Sequence, residues 1–574
     1  MSERAWARPA AGREPAGAAL LAWLADPVAP RLCLVTGSAG RGKSALLAWL
    51  VGHGTRPGTV PERRVHGFVP LAGQGVRATV WTLAEQLEVA ARAPGELVTA
   101  LAADPRRTVV VLPDLHAGVD AEALAELVSE LAGLDHVRLV VEARTGHDAV
   151  RLLSPLAPAV MDLDEPRWTD PARYADWRSA EGRGSDGWGS EPETGKPVDG
   201  YGGVADGDEP LDPADPVSVC TTDPTRVTTA YETDTGERGG LRAAWLRAGQ
   251  SLISDQEPAE RALTLLAALG DGADPRLRPA LADLAASAPW KLVWSRVRGD
   301  VAPPWPGPAL ALTTGAGPLE GQFVAADHQG VLRTVSLGDA APVGRLSDPV
   351  PEAVALGALP DGTVAVLDAQ GQLHTRRLPT APRPSGLAAL LDDGPAVGER
   401  AVEVQRARLE GRRGTAVSAS GYASAVADAA GFVSVVPFGE EASVQHAAQL
   451  HESRVTALAL VDVPVGDSGS GESVSLVYSG GADGRVRAWG PGTEPLAVPV
   501  AERPCAVVAL AATYTTSGLV LAIGWADGLI EHRRLDVGET RTVHPGVPVN
   551  ALALTPAEHL VIGTDEMVIC LSPR

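Results

Sequence analysis

From Pro308 to the C-terminus one pattern recurs: an alternating strand, a turn in which Asp is followed within three residues by Gly, and a second strand. The copies are VAADHQGVLRTV, VAVLDAQGQLHTRRL, AVADAAGFVSVV, VYSGGADGRVRAW and AIGWADGLIEHRRL, with VIGTDEMVICL as a degenerate sixth. Period-two alternation gives each strand one apolar face, and a single copy cannot bury that face alone. The marking aspartates, Asp327, Asp368, Asp428, Asp483, Asp527 and Asp565, are separated by 41, 60, 55, 44 and 38 residues. Those spacings bracket the roughly 40–45 residues of a four-stranded propeller blade, so the two long ones require insertions. One insertion is legible at 464–473, PVGDSGSGES, a polar loop inside an apolar unit. The apolar strand KLVWSRV at 291–297 stands where it could pair with the last copy and close the ring, which removes exposed sheet edges. Six blades are recognisable, and a seventh is compatible with the length.

These copies resemble the WD-repeat propellers. VRAWG, around Trp489, keeps the tryptophan that ends that family's repeat, whereas no Gly-His dipeptide opens any copy. The resemblance implies a rigid ring that recognises a protein partner.

The first third has a different rhythm. RLCLVT, VHGFVP, TVVVLP, VRLVVE and AVMDLD read as buried strands, separated by helical segments such as Val76, Val80, Leu83 and Leu87. Such alternation predicts a parallel sheet covered by helices. The expected multidomain order is a helical lead-in over 1–30, an α/β P-loop NTPase domain over 31–177, a disordered linker over 178–240, a small helical bundle over 241–288 and the all-β propeller over 289–574. The linker expectation rests on RGSDGWGSEPETGKPVDGYGGVADGDEPLDPADP, with few aliphatic residues, and the bundle on LRAAWLRAGQSLI and PAERALTLLAALG.

GSAGRGKS, residues 37–44, matches G-x-x-x-x-G-K-[ST], and the chain has only three lysines, one of which is in it. In that motif Gly37, Gly40 and Gly42, with Arg41 between the last two, turn backbone N–H groups toward phosphate oxygens. Lys43 reaches the β and γ phosphates, and Ser44 meets Mg²⁺. The loop lies between a strand, RLCLVT, and a helix, KSALLAWLV. ATP and Mg²⁺ are therefore the expected ligands, with adenine favoured over guanine because no N-K-x-D is present. Asp114, at the end of TVVVLP, is the expected second Mg²⁺ ligand, and His116 a candidate base for activating water, because Leu115 and His116 stand where a second carboxylate is expected.

At these residues the chain resembles the NACHT-like ATPases of the STAND class, over about residues 12–177. The resemblance rests on Gly12-Arg13-Glu14 before the first strand, the P-loop, Asp114, VVEARTG, and AVMDLDEPRWTDPARYADW after the last strand. It implies Arg13 near the adenine, Arg144 as a γ-phosphate sensor, slow hydrolysis and nucleotide-dependent homo-oligomerisation. It departs from the family in lacking an acidic cluster after Asp114.

Composition excludes several alternatives. A net charge of −22 without a basic run argues against an electrostatic grip on nucleic acid or an anionic membrane. The uncharged stretch 504–526 is broken by TYTTSG and reads as two buried strands, not a membrane span. Cys33, Cys220, Cys505 and Cys570 form no ligand or disulfide pattern, and the N-terminus lacks the apolar core of a signal peptide, so a cytoplasmic protein is expected. GDSGS at 466–470 resembles the nucleophile segment of trypsin-like proteases but lies inside a repeat unit, with no general-base motif around His446 or His451. The leading expectation is a nucleotide-regulated switch whose propeller holds a protein. The alternatives are a non-enzymatic propeller scaffold with a degenerate P-loop domain, and a kinase.

Overall fold

The computed structural model describes residues 12–170, 172, 210–301, 304–305, 307–378, 397–438, 446–465 and 473–574. These residues divide into two compact units, Met1–Pro213 with Thr222–Thr235, and Ala214–Thr221 with Gly236–Arg574.

The first unit is a five-stranded parallel sheet. Its elements run α1 (Glu14–Ala25), β1 (Leu32–Thr36), α2 (Lys43–Gly54), β2 (Gly67–Phe68), α3 (Val76–Gln86), α4 (Pro94–Ala103), β3 (Thr108–Leu112), α5 (Ala121–Ala132), β4 (Val137–Glu142), α6 (Asp148–Leu153) and β5 (Ala159–Asp162). The spatial order is β2-β3-β4-β1-β5, with every pairing parallel. All five strand expectations fall on strands. β1, β3 and β4 are buried along their whole length, as strands covered on both faces must be, which is why they read as mainly aliphatic runs. Val35, Val109, Val111 and Val140 pack with Leu20 and Leu24 of α1 and with Leu46, Leu47 and Leu50 of α2. The order brings the carboxyl ends of β1, β4 and β3 side by side, and open α/β sheets bind ligands at that edge.

The expected linker is shorter than the composition implied. Residues 178–209 lie outside the described set, but 210–240 include two helices, Pro216–Thr221 and Pro224–Thr233. Asp223 caps the second through hydrogen bonds from the N–H groups of Thr225 and Arg226, and Val227 and Tyr231 are buried. A stretch low in aliphatics can fold where a few apolar residues at helical spacing find a partner surface. The expected bundle comprises Leu241–Ala248, Pro258–Ala268 and Leu277–Leu284.

Residues 290–573 build six antiparallel sheets arranged as a closed six-bladed propeller. Numbered as blades 1–6 in chain order, with blade 1 beginning at Ala311–Thr314, five sheets contain four strands, and among the described residues the second contains three. The ring closes as the sequence suggested: Trp290–Val297 pairs antiparallel with Met567–Pro573, Trp294 opposite Cys570. Trp294 also stacks on Phe323 of blade 1 at 5.6 Å between ring centroids, and its Nε1 donates to Leu337 O at 2.8 Å. Trp294→Ala removes both contacts, so the propeller's unfolding free energy, measured by denaturant titration, should fall by about 3–4 kcal/mol.

The marking aspartates explain the repeat. Asp327, Asp428 and Asp527 each accept hydrogen bonds from backbone N–H groups of their own turn, which fixes the tight Asp-to-Gly connection. The spacing of 60 contains helix Val397–Arg408, and that of 55 contains the long hairpin Val455–Pro464 and Ser473–Gly481. The 504–526 stretch is the hairpin Val507–Thr515 and Gly518–Trp525, and among the described residues no helix is long and apolar enough to cross a membrane. The GDSGS serines lie outside the described residues. His451, fully buried, sits 2.9 Å from Ser479 Oγ through Nε2 and 3.1 Å from Asp483 through Nδ1. This chain of hydrogen bonds braces the hairpin Val455–Pro464 and Ser473–Gly481 from the residue run before it, and the burial of His451 keeps it from any substrate.

Candidate nucleotide site

β1 delivers the chain into a loop that only glycine accommodates easily. Gly40 and Gly42 have φ of 73° and 74°, in the left-handed region, and a Cβ on either would meet nothing within 4 Å, so backbone conformation and not crowding selects glycine there. Gly37 has φ of 149°, and a Cβ on it would press on Leu163 Cβ at 3.2 Å. α2 begins at Lys43 with Gly42 as its cap, and no side chain caps that helix end. A glycine-turned loop feeding an uncapped helix N-terminus is the geometry that receives phosphate.

The loop is held from behind. Asp164, just after β5, accepts from Ser38 N at 2.9 Å and Ser38 Oγ at 2.8 Å, and pairs with Arg41 Nε at 2.7 Å. Burial acts to raise its pKa, but the Ser38 and Arg41 contacts outweigh that and hold the carboxyl below its ordinary range. Arg13 is 1 % exposed and donates to Leu163 O, Thr169 Oγ1 and Arg41 O. Both arginines therefore stand at the P-loop with protein partners of their own, Arg13 as an internal brace.

Lys43 is also 1 % exposed, and its Nζ donates to Ser38 O at 3.2 Å. The same ammonium lies 3.6 Å from Glu142 Oε1. Glu142 is the last residue of β4, fully buried, and its Oε2 accepts the backbone N–H of Asp114 at 3.0 Å. Asp114 itself is left-handed at φ 59°, one residue beyond Pro113, a conformation Asp tolerates better than most residues. One ligand atom each from Asp114, His116 and Glu142 lies within 4.8 Å of the others. His116 meets His147 edge-on, ring centroids 6.1 Å apart. Burial first, and then the Asp114 carboxylate, push the Glu142 carboxyl up to about 8 against the opposing pull of Lys43.

The structure thus brings Lys43, the Asp114–His116 pair and Glu142 together from three segments distant in sequence. Ser44 follows Lys43 in the first turn of α2 and is half-buried. Arg144 is exposed, two residues past Glu142 in the loop before α6. The residue that sequence reasoning passed over is Glu142, in the same VVEARTG segment whose arginine was singled out. Its signal was a lone carboxylate closing a parallel strand that is apolar apart from Arg138. The second carboxyl group beside Asp114 is Glu142, from the neighbouring strand β4 and not from the residues after Asp114.

Mg²⁺ prefers oxygen ligands in an octahedron completed by water and phosphate. Ser44 and Asp114 suit that chemistry, and Glu142 adds an oxygen donor, so the residues present fit a nucleotide with its metal.

No protein-family model matches the chain, and no curated protein matches it. Among solved structures, one described as the structure of U3-55K is 12 % identical and covers 49 % of this chain and 98 % of its own, with a TM-score of 0.30. The crystal structure of the RRP9 WD40 repeats is 11 % identical over 49 % of this chain and 100 % of its own, with a TM-score of 0.30. The computationally designed Ika8 protein is 15 % identical over 47 % and 96 %, with a TM-score of 0.27.

Proposed function

We propose that the α/β unit binds a nucleoside triphosphate with Mg²⁺ and that its state is read out by a protein held on the propeller. The observation that carries this reading is the convergence of Lys43, Asp114 and Glu142, from three elements, beside the glycine loop at the carboxyl edge of the sheet. A switch needs two states with different contacts. Lys43 supplies them: paired with Glu142 in one, reaching β and γ phosphates in the other. Departure of Lys43 releases Glu142, which holds the Asp114 backbone, so the metal ligand is coupled to occupancy of the loop. Arg144, exposed at the same edge, serves as the γ-phosphate sensor, and His116 orients water for slow hydrolysis. Adenine is the favoured base. Cytoplasmic location and nucleotide-dependent self-association belong to this reading, the latter from the STAND resemblance.

Calorimetry with Mg-ATP and Mg-ADP, followed by phosphate release on the same samples, tests it. Saturable ATP binding that alters limited proteolysis differently from ADP supports the switch, and Arg144→Ala should then erase the ATP–ADP difference while leaving ADP affinity intact. Absence of ATP binding at millimolar concentration sinks it. A second reading, a scaffold with a silent P-loop, is favoured by one observation: the Lys43 ammonium is already buried, 3.6 Å from the Glu142 carboxyl, and a phosphate must draw it away.

A further inference from the structure

On the outside of blade 1 a cleft of about 220 Å³ is lined by Arg296, Arg333, Arg345, Trp305, Pro342 and Val343 among others, with no carboxylate in the lining. In a chain of net charge −22, three arginines around one small cleft run against the general balance of the surface. Each is placed differently. Arg333 is fixed by Asp327 at 3.1 Å, and Arg296 donates to Asp339 O at 2.8 Å, so both guanidiniums are pre-set. Arg345 is exposed. Trp305 is 7 % exposed, and its Nε1 is buried with no hydrogen-bond partner among the described residues.

The volume is below the roughly 300–1,000 Å³ of pockets for drug-sized molecules and suits one side chain. The rim says what surrounds that side chain. Pro342–Arg345 is the outer strand of blade 1, with a bulge at Val343, which is 57 % exposed. A proline and a bulge blunt this edge for strand addition, so recognition here rests on an anchor and its flanks and not on a backbone ladder.

We propose that this cleft binds a partner peptide through one anionic side chain, phosphoryl or carboxylate, with flanking apolar residues covering Pro342 and Val343. Planar guanidiniums pair bidentately with either anion.

The test uses the full-length chain and three fluorescein-labelled heptapeptides of alternating valine and threonine that differ only at the central residue: phosphoserine, glutamate or serine. Fluorescence anisotropy should show binding of at least one anionic peptide and a serine peptide at least about tenfold weaker. The stronger of the two anionic peptides identifies the source of the charge. Arg345→Glu and, separately, Arg296→Gln should each weaken that peptide at least about tenfold without moving the unfolding midpoint, since neither side chain is in the core. Equal binding of all three peptides, no binding of either anionic one, or wild-type affinity in both variants overturns the proposal.

Discussion

Replacing Lys43 by alanine is expected to weaken Mg-ATP binding by at least on the order of 100-fold, or about 3 kcal/mol, the scale of a lost charge-assisted contact. Isothermal calorimetry on wild type and variant reads this directly. The buried ammonium sits at the start of α2, 3.2 Å from Ser38 O, and no other lysine occurs in the first 195 residues. The propeller should keep its own unfolding transition in this variant, because the blades bury their inner faces against one another and the ring is closed by its own chain. Unchanged ATP affinity would remove Lys43 from the site. Loss of the propeller's transition would refute the division into two units.

The second large effect is on stability against pH. The Glu142 carboxyl is held at about 8, above its ordinary 4.5, first by burial and then by the Asp114 carboxylate, with Lys43 from α2 opposing. His116 faces the same group from the turn after β3. Below pH 4.5 the carboxyl is protonated whether the chain is folded or not, so it contributes no pH dependence. Between 4.5 and 8 the unfolded chain gives up this proton while the folded chain keeps it, and stability therefore falls as pH rises through that window. The loss is at most roughly 5 kcal/mol, from a shift of this size at about 1.4 kcal/mol per unit. Glu142→Gln preserves the shape and the acceptor for the Asp114 N–H but cannot ionise. Urea titrations of the α/β unit in metal-free buffer from pH 5 to 9 should show a falling wild-type curve and a flatter variant curve, the variant being the more stable at the alkaline end. Equal slopes would show that the carboxyl is ionised throughout.

Much of the architecture could be read from local patterns. The three central parallel strands are mainly aliphatic runs of five or six residues, five of the six propeller turns have their Asp and Gly, and the P-loop is contiguous. Such signals survive because backbone conformation and burial are decided within a few residues. The linker boundary failed for the converse reason: composition around 210–240 is polar, yet Val227 and Tyr231 are spaced to share one face of a helix and become buried. Blade number stayed open because insertions, the helix at Val397–Arg408 among them, disturb the period without adding a sheet.

By itself, then, the sequence determined the strand-and-helix alternation, the phosphate loop and the repeat that has to close on itself, since all three are written in neighbouring residues and in the need to bury apolar faces. Only the tertiary structure decided which charges meet. The strand order β2-β3-β4-β1-β5 inserts β4 between the strand that ends in the P-loop and the strand that ends at Asp114, and so carries Glu142 between Lys43 and Asp114. Residues about 100 positions apart become partners through sheet order, a long-range property that no local spacing encodes.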